Sequence, residues 1–188
     1  MQLPWNEWVP VPLPVRRRPE KGLTPAGAEA VAALVDEGIL VDLAHADEAT
    51  TMAVCERVGA EGRPVISSHS GAKAVRDFAR FHHDHELQAI AATGGLIGLW
   101  PFCYRGEGVT DLEDWCRHAS YLIDLLGVQH VGIGTDMNGV SGLMDGYEGE
   151  HDLVKLTTAL VERVGLDEAG TRAVLGGNAR RVLEAAVG

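Results

Sequence analysis

The chain has 188 residues, of which 46% are hydrophobic and 23% charged, a composition typical of a soluble globular protein with one or two domains. Its formal net charge of −11 gives no electrostatic support for binding a nucleic acid or an anionic membrane. No apolar run approaches the roughly 20 residues that span a bilayer, and the N-terminal MQLPWNEWVP lacks the features of a signal peptide. Since the three cysteines form neither a disulfide framework nor a CxxC pair, we predict a cytoplasmic protein with reduced thiols.

Residues 1–22 differ in composition from the rest of the chain. They contain five of the eight prolines, together with Trp5, Trp8 and three consecutive arginines. Because proline removes a backbone donor and restricts φ, this density disfavours both helix and sheet. We therefore predict an extended arm over residues 1–22 and a folded domain over residues 23–188.

After the arm, helical and strand patterns alternate. Thr24 followed by Pro25 is typical of a helix start, and Gly38 is expected to end that helix. The segment ILVDL then has the character of a strand, and Asp47 opens a second helix. A helix-rich stretch is predicted over 70–93 and a helix over 111–126, with two or three helices at the end of the chain. The predicted strands lie near 39–44, 64–68, 95–100 and 130–134.

Four short apolar strands separated by helices indicate a parallel sheet built from βα units. Active sites of such folds gather at the carboxyl ends of the strands. Two successive strands are followed at this edge by a histidine, His45 and His69, and Asp136 follows the fourth strand. We therefore expect these three side chains to converge.

Two imidazoles and a carboxylate suit zinc, and iron, manganese or cobalt accept the same donors. A zinc-bound water acidifies to a pKa of about 7 and becomes a nucleophile, with a nearby carboxylate as proton acceptor. The alternative is structural, since each histidine would also cap its strand through an internal hydrogen bond. The pattern alone leaves both interpretations open.

Four longer segments carry a resemblance to a known family. In chain order they read LTPAGAEAVAALVDEGILVDLAHAD, PVISSHSGAKAV, GVQHVGIGTDMNG and LGGNARRVLEA. By these segments the chain resembles the membrane dipeptidase (renal dipeptidase) family of zinc peptidases from about residue 23 to its end. The resemblance implies a (β/α)8 TIM barrel of the metal-dependent hydrolase type, with two zinc ions bridged by a glutamate. It also implies a substrate that is a dipeptide or a related small amide.

The resemblance further implies roles for individual residues. His45 and His69 correspond to the two histidines of the second zinc, and Arg80 to an arginine that holds the substrate carboxylate. Asp136 matches an aspartate that we expect to contact the substrate ammonium or to handle the catalytic proton. Asn138 stands where a second carboxylate is often found, and we predict that it also contacts the substrate.

Four other histidines are expected to lie outside the metal site. His82, His83 and His85 are closely spaced in a polar segment at a predicted helix start, where exposure is the usual outcome. His118 matches a histidine on the preceding helix of the family, which we expect to be structural rather than a ligand.

The largest departure from the family pattern is an absence. No His-x-Asp strand and no strand with a bridging glutamate precede residue 23, so ligands for only one partial zinc site are present. We predict the C-terminal half of a dipeptidase-like barrel, a partial (β/α)8 barrel with about four parallel strands and outer helices. Its unpaired strand edges predict a homo-oligomer or a complex with a missing N-terminal half.

Two hypotheses for the function follow. The first is a zinc-dependent hydrolase that cleaves the amide bond of dipeptides by a metal-activated water. The second is a catalytically silent, truncated module that acts through oligomerisation or partner binding. The presence of His45, His69, Arg80 and Asp136 together favours the first hypothesis.

Overall fold

The central element of the fold is a four-stranded parallel sheet. The computed structural model describes residues 22–140 and 142–187. The strands of the sheet are β1 Val41–Asp42, β2 Val65–Ser70, β3 Leu96–Leu99 and β6 Val131–Ile133. They lie in the order β1-β2-β3-β6, and each neighbouring pair is parallel. The predicted parallel sheet is therefore confirmed, with strands that are shorter than predicted at most ends.

Seven α-helices accompany the sheet in the described part of the chain. Four of them begin at a polar side chain that accepts a hydrogen bond from a backbone N–H of the first turn. These caps are Thr24 to the Gly27 amide (3.0 Å), Asp47 to the Thr50 amide (2.7 Å), Asp111 to the Asp114 amide (2.8 Å) and Asp167 to the Gly170 amide (2.7 Å). The helices are α1 Pro25–Asp36, α2 Glu48–Ala60, α3 Asp84–Ala92, α4 Leu112–Leu126, α5 Leu153–Glu162, α6 Glu168–Arg172 and α7 Asn178–Val187.

One continuous core joins the helices to the sheet. Val31 of α1 and Trp115 and Leu122 of α4 are fully buried, as are Ile97 and Leu99 of β3. All four residues of β3 are buried, since this central strand has a neighbour on each side and helices α3, α4 and α7 contact it. This burial explains why the strands read as continuous apolar runs in the sequence.

The helix-rich stretch predicted over 70–93 is helical only in its second part. α3 begins at Asp84, and residues 71–83 form a loop that returns across the end of β2. Phe78 and Phe81 of this loop are buried in the core, with their ring centroids 5.1 Å apart. Their spacing resembles a helical face, but contacts with distant residues determine the backbone instead.

A two-stranded antiparallel hairpin, absent from the sequence predictions, follows β3. It pairs β4 Cys103–Tyr104 with β5 Glu107–Gly108. The two turn residues, Arg105 and Gly106, have φ values of 54° and 82°, as a two-residue hairpin turn requires. Arginine is an uncommon residue at such a φ, which is why this turn carried no clear sequence signature.

Two glycines allow the strands to approach closely beside the end of β2. The pairing of β2 with β3 contains one extra residue between Ser67 and Ser70 on the β2 side. A Cβ atom added to Gly98 or to Gly134 would overlap the Ser68 carbonyl oxygen. Both positions therefore require glycine, because a larger residue at either one would displace the Ser68 backbone.

Two sequence expectations concern other parts of the chain. The predicted arm over 1–22 lies outside the described residues apart from Gly22. Among the helices of the described residues, none is long and apolar enough to cross a membrane.

Candidate functional site

The carboxyl edge of the sheet brings together His45, His69, Arg80 and Asp136. His69 lies near the end of β2 and is only 3% exposed. Its Nε2 atom lies 3.2 Å from His45 Nε2, 3.3 Å from Arg80 Nη2 and 3.6 Å from Asp136 Oδ2. The three segments that carry these partners follow β1, β2 and β6, so the parallel topology itself creates the cluster.

The hydrogen bonds of His69 determine which of its nitrogens is protonated. A guanidinium can only donate, so the contact from Arg80 Nη2 makes His69 Nε2 an acceptor. The proton then resides on Nδ1, which lies 2.8 Å from Ser68 Oγ and donates to it. This arrangement directs the Nε2 lone pair of His69 towards the centre of the cluster.

Both imidazoles are neutral at neutral pH. Burial and, after it, the positive charge of Arg80 lower the pKa of His45 to about 3 and the pKa of His69 to about 4. Since a metal binds the neutral form of imidazole, both rings are in the state that ligation requires.

Arg80 is a buried cation in the loop that follows β2. Its Nη2 donates to the Ala44 carbonyl oxygen at 3.0 Å, and its guanidinium carbon lies 5.2 Å from the centre of the Trp100 ring. Burial lowers the pKa of Arg80 to about 10, while the negative charges of Asp136 and Asp42 oppose this shift. Arg80 thus stays charged at neutral pH.

Asp136 and Asn138 lie on the turn after β6. Both have left-handed backbone conformations, with φ of 49° and 71°, which aspartate and asparagine adopt more readily than most residues. Burial raises the pKa of Asp136, an effect that nearby Arg80 opposes. The side chain of Asp136 points towards His69, whereas Asn138 is exposed and lies at the rim rather than in the buried cluster.

The sequence patterns give no functional role to two residues of the site, Asp42 and Trp100. Asp42 Oδ1 accepts hydrogen bonds from the Ala44 amide (3.1 Å) and the Ser68 amide (2.9 Å), so it ties the end of β1 to β2. Its presence inside the apolar run ILVDL was the available clue. Trp100 packs its ring edgewise on His69 at 4.9 Å and stacks on Phe102 at 4.1 Å, and no pattern distinguished it from a core residue.

Removal of the Asp42 carboxylate is expected to destabilise the fold. Asp42→Ala leaves two amides of the site without their acceptor, a loss of about 2–3 kcal/mol in the free energy of unfolding. Asp42→Asn retains the Oδ1 acceptor and serves as the control, with a smaller loss. Urea denaturation measures both variants. Equal unfolding midpoints for the two would contradict this role of Asp42.

The other histidines differ in burial. His82, which we expected to be exposed, is buried: its Nδ1 lies 3.1 Å from Glu86 Oε1 and its Nε2 lies 2.9 Å from Ser67 Oγ. The loop before α3 turns this residue inwards, and the two polar partners satisfy both ring nitrogens. His118 is also buried, and its Nδ1 accepts a hydrogen bond from the Ala72 amide at 3.1 Å, in keeping with the expected structural role.

Fold and site together define an α/β protein built as part of a (β/α) barrel, with a buried imidazole pair at the carboxyl ends of its strands. The chain belongs to the membrane dipeptidase family (peptidase family M19), because the sequence model of that family matches residues 4–187. The resemblance seen in the sequence is thereby confirmed.

Relatives of known name cover most of this chain. Dipeptidase aclJ of Aspergillus oryzae is 35% identical over 167 residues, which are 86% of this chain and 38% of the relative. Dipeptidase verJ of Clonostachys rogersoniana is 30% identical over 166 residues, 87% of this chain and 41% of the relative. The chain thus spans about two fifths of the length of these curated relatives.

Solved structures also match most of this chain over only about half of their own length. The metallopeptidase called dipeptidase AC is 31% identical with a TM-score of 0.80, and the match covers 89% of this chain and 50% of that one. A metallopeptidase from Rhodobacter sphaeroides, solved with a phosphinate mimic of the dipeptide L-Ala-D-Ala, is 30% identical with a TM-score of 0.80. That match covers 88% of this chain and 47% of the other, so the four strands correspond to part of a TIM barrel.

Proposed function

We propose that this chain forms the C-terminal half of the active site of a zinc-dependent dipeptidase, which hydrolyses the amide bond of a dipeptide or a related small amide. The observation that carries the proposal is the pair of facing imidazole Nε2 atoms, 3.2 Å apart, beside a buried arginine and an aspartate. Membership of a dipeptidase family supports the same reaction. The intact cluster gives no support to the alternative of a catalytically silent module.

The geometry of the two histidines fits a zinc ion. Two nitrogen ligands at about 2.0–2.1 Å from a tetrahedral zinc lie about 3.3–3.4 Å apart, close to the observed separation of 3.2 Å. The Ser68 hydroxyl holds His69 in the tautomer that ligation needs. Zinc supplies a polarised substrate carbonyl and an activated water when it is bound. His45 and His69 are two ligands, fewer than the three usual at catalytic zinc, so we expect further donors from a second polypeptide segment.

Arg80 is proposed to bind the carboxylate of the substrate. Its guanidinium offers a planar pair of N–H donors, and burial strengthens each charge-assisted hydrogen bond that it makes. The Trp100 ring and the Ala44 carbonyl oxygen hold the guanidinium in place. Replacing arginine by lysine would keep the charge but lose the paired donors.

Asp136 is proposed to contact the substrate ammonium or to move the catalytic proton. Its Oδ2 lies 3.6 Å from His69 Nε2, within the region where the substrate amide would sit. Burial raises the pKa of this carboxyl, which makes the carboxylate a stronger proton acceptor. Asn138, on the exposed side of the same turn, is proposed to contact the outer part of the substrate.

The two outer strands of the sheet, β1 and β6, are evidence for a partner that completes the barrel. Among the described residues, β1 and β6 each have only one neighbour in the sheet, so each leaves one edge of unpaired backbone groups. We propose that a missing N-terminal half pairs with these edges and supplies the remaining metal ligands. In its absence, a second copy of the chain is the proposed partner.

Co-expression with an N-terminal half tests the proposal. The N-terminal half of the Rhodobacter sphaeroides metallopeptidase is a suitable source, because this chain matches 47% of that protein. Residues 1–188 alone should bind zinc substoichiometrically at the imidazole pair, hydrolyse dipeptides poorly and scatter light as a dimer or larger species. The complemented complex should bind more zinc and hydrolyse L-Ala-D-Ala at least about 100-fold faster, as expected when a catalytic metal site is completed.

Two outcomes would count against the proposal. Two zinc ions bound tightly at the carboxyl edge of the sheet, together with full turnover, in residues 1–188 alone would refute the half-site. A stable complex that holds its full zinc complement but hydrolyses no dipeptide would refute the dipeptidase activity.

A further inference from the structure

A second group of metal-ligating side chains lies at the first turns of α2 and α3. Glu48 Oε1 lies 2.7 Å from His85 Nε2, and Glu48 Oε2 lies 3.9 Å from His83 Nε2. Ligand atoms of Glu48, His83 and Glu86 all lie within 4.8 Å of one another. None of these residues belongs to the cluster around His69.

The start of α3 explains why two histidines two positions apart lie side by side. Inside a helix, residues i and i+2 point in different directions. His83 is the N-cap of α3 and has an extended backbone, with φ of −71° and ψ of 159°. As a result, the His83 and His85 rings are nearly parallel, at 14° with centroids 5.6 Å apart, and both face Glu48.

Glu86 fixes this arrangement from the protein interior. Its Oε2 accepts a hydrogen bond from the His83 backbone amide at 2.8 Å, and its Oε1 lies 3.1 Å from His82 Nδ1. Glu86 is buried, so its conformation is restricted by packing as well as by these bonds. The backbone that presents His83 is therefore held in advance of any ligand.

We propose that Glu48, His83 and His85 form a binding site for a divalent cation of the zinc class. Two imidazoles and one carboxylate are a common ligand set for zinc, and nickel and cobalt accept the same donors. The 2.7 Å between Glu48 Oε1 and His85 Nε2 is a hydrogen-bond distance, so an ion would replace this bond and the two atoms would move apart to the roughly 3.3–3.4 Å that separates two ligands of a tetrahedral zinc. Glu86 adds negative charge behind the site without having to move.

Access and charge are compatible with an ion at this position. The side chains of Glu48, His83 and His85 are 33%, 41% and 51% exposed, so a cation can enter and keep water ligands. The positive ends of α2 and α3 oppose a cation, and the carboxylates of the two first turns offset this effect. Those carboxylates are Glu48 in α2 and Asp84 and Glu86 in α3.

An ion at this site would join two loops of the proposed active site. Glu48 follows His45 by three residues, and His83 follows Arg80 by three residues. A bond from α2 to α3 through the cation therefore restricts the separation of the loops that carry His45 and Arg80. This role is structural, and the inference does not depend on the proposed hydrolase activity.

Zinc binding by the full 188-residue chain tests the inference. His45→Asn and His69→Asn together remove the first pair of imidazoles, so that remaining zinc reports on the second site. Equilibrium dialysis against zinc, with metal analysis, should then show one bound ion per chain and a raised melting temperature. Adding His85→Gln should weaken zinc affinity by about tenfold or more and remove the thermal shift.

His151→Gln provides the matched control. His151 is 72% exposed and lies 3.8 Å from an acidic partner, Asp152, outside the site. This variant should leave zinc affinity unchanged. Equal zinc affinity with and without His85→Gln, or an equal loss in His151→Gln, would overturn the site. If His85→Gln disturbs the circular dichroism spectrum, Glu48→Gln replaces it, with the same expected loss and the same refuting result.

Discussion

His69→Ala is expected to abolish zinc binding at the carboxyl edge of the sheet, together with the dipeptide hydrolysis of the complemented complex. His69 Nε2 is the atom that His45, Arg80 and Asp136 all approach, within 3.2–3.6 Å. Without it, one imidazole would be the only proposed ligand from this chain. We expect zinc affinity to fall by roughly 100-fold or more, beyond the 10–100-fold that loss of a residue supporting a ligand causes.

Zinc content and hydrolysis should be measured on His69→Ala and on a control, His130→Ala, both carrying His85→Gln so that zinc at the second cluster does not contribute. His130 lies immediately before β6, at the amino-terminal edge of the sheet, and its Nδ1 lies 2.9 Å from the Gly95 carbonyl oxygen. It is therefore a histidine of the same sheet at the opposite edge from the cluster. Retention of zinc and activity in His69→Ala, or an equal loss in His130→Ala, would contradict the proposed role of His69.

Gly98→Ala is expected to cause a large loss of stability, about 3 kcal/mol or more in the free energy of unfolding. The added Cβ would overlap the Ser68 carbonyl oxygen, which is part of the backbone and has no alternative rotamer. β2 and β3 would have to separate within a closely packed core. Because Ser68 immediately precedes His69, the same displacement should also lower zinc affinity at the imidazole pair.

Gly59→Ala makes the same chemical change in α2 and serves as the control. Its added Cβ would lie 3.2 Å from the Thr93 methyl group, a side-chain atom that can adjust. Alanine is also favoured over glycine inside a helix by about 0.5–1 kcal/mol, so we expect a neutral or stabilising effect. Urea denaturation of both variants checks the comparison. Equal unfolding midpoints would show that the overlap with the Ser68 carbonyl oxygen does not destabilise Gly98→Ala.

The sequence alone determined the strand–helix alternation and the parallel sheet. Both depend on local patterns: apolar runs of strand length, and helix starts such as Thr24 and Asp47, whose capping bonds join residues three apart. The resemblance to a family then assigned candidate roles to His45, His69, Arg80 and Asp136. Parallel topology places strand ends on one edge, so their convergence also followed from the order of elements.

The tertiary structure alone decided the features that depend on residues far apart in the chain. The loop over 71–83 is not helical, because Phe78 and Phe81 pack into the core. His82 is buried because Ser67, fifteen residues earlier in the chain, offers it a hydrogen bond. Trp100 contacts His69 and Arg80 only through the pairing of β2 with β3.

The same reason applies to the second cluster of ligating residues. Glu48 is separated from His83 and His85 by more than thirty positions, and only the packing of α2 beside α3 brings them together. Sequence spacing specifies which side chains share a turn or a strand face. It contains no information on which distant turns meet, because that depends on how the helices pack around the sheet.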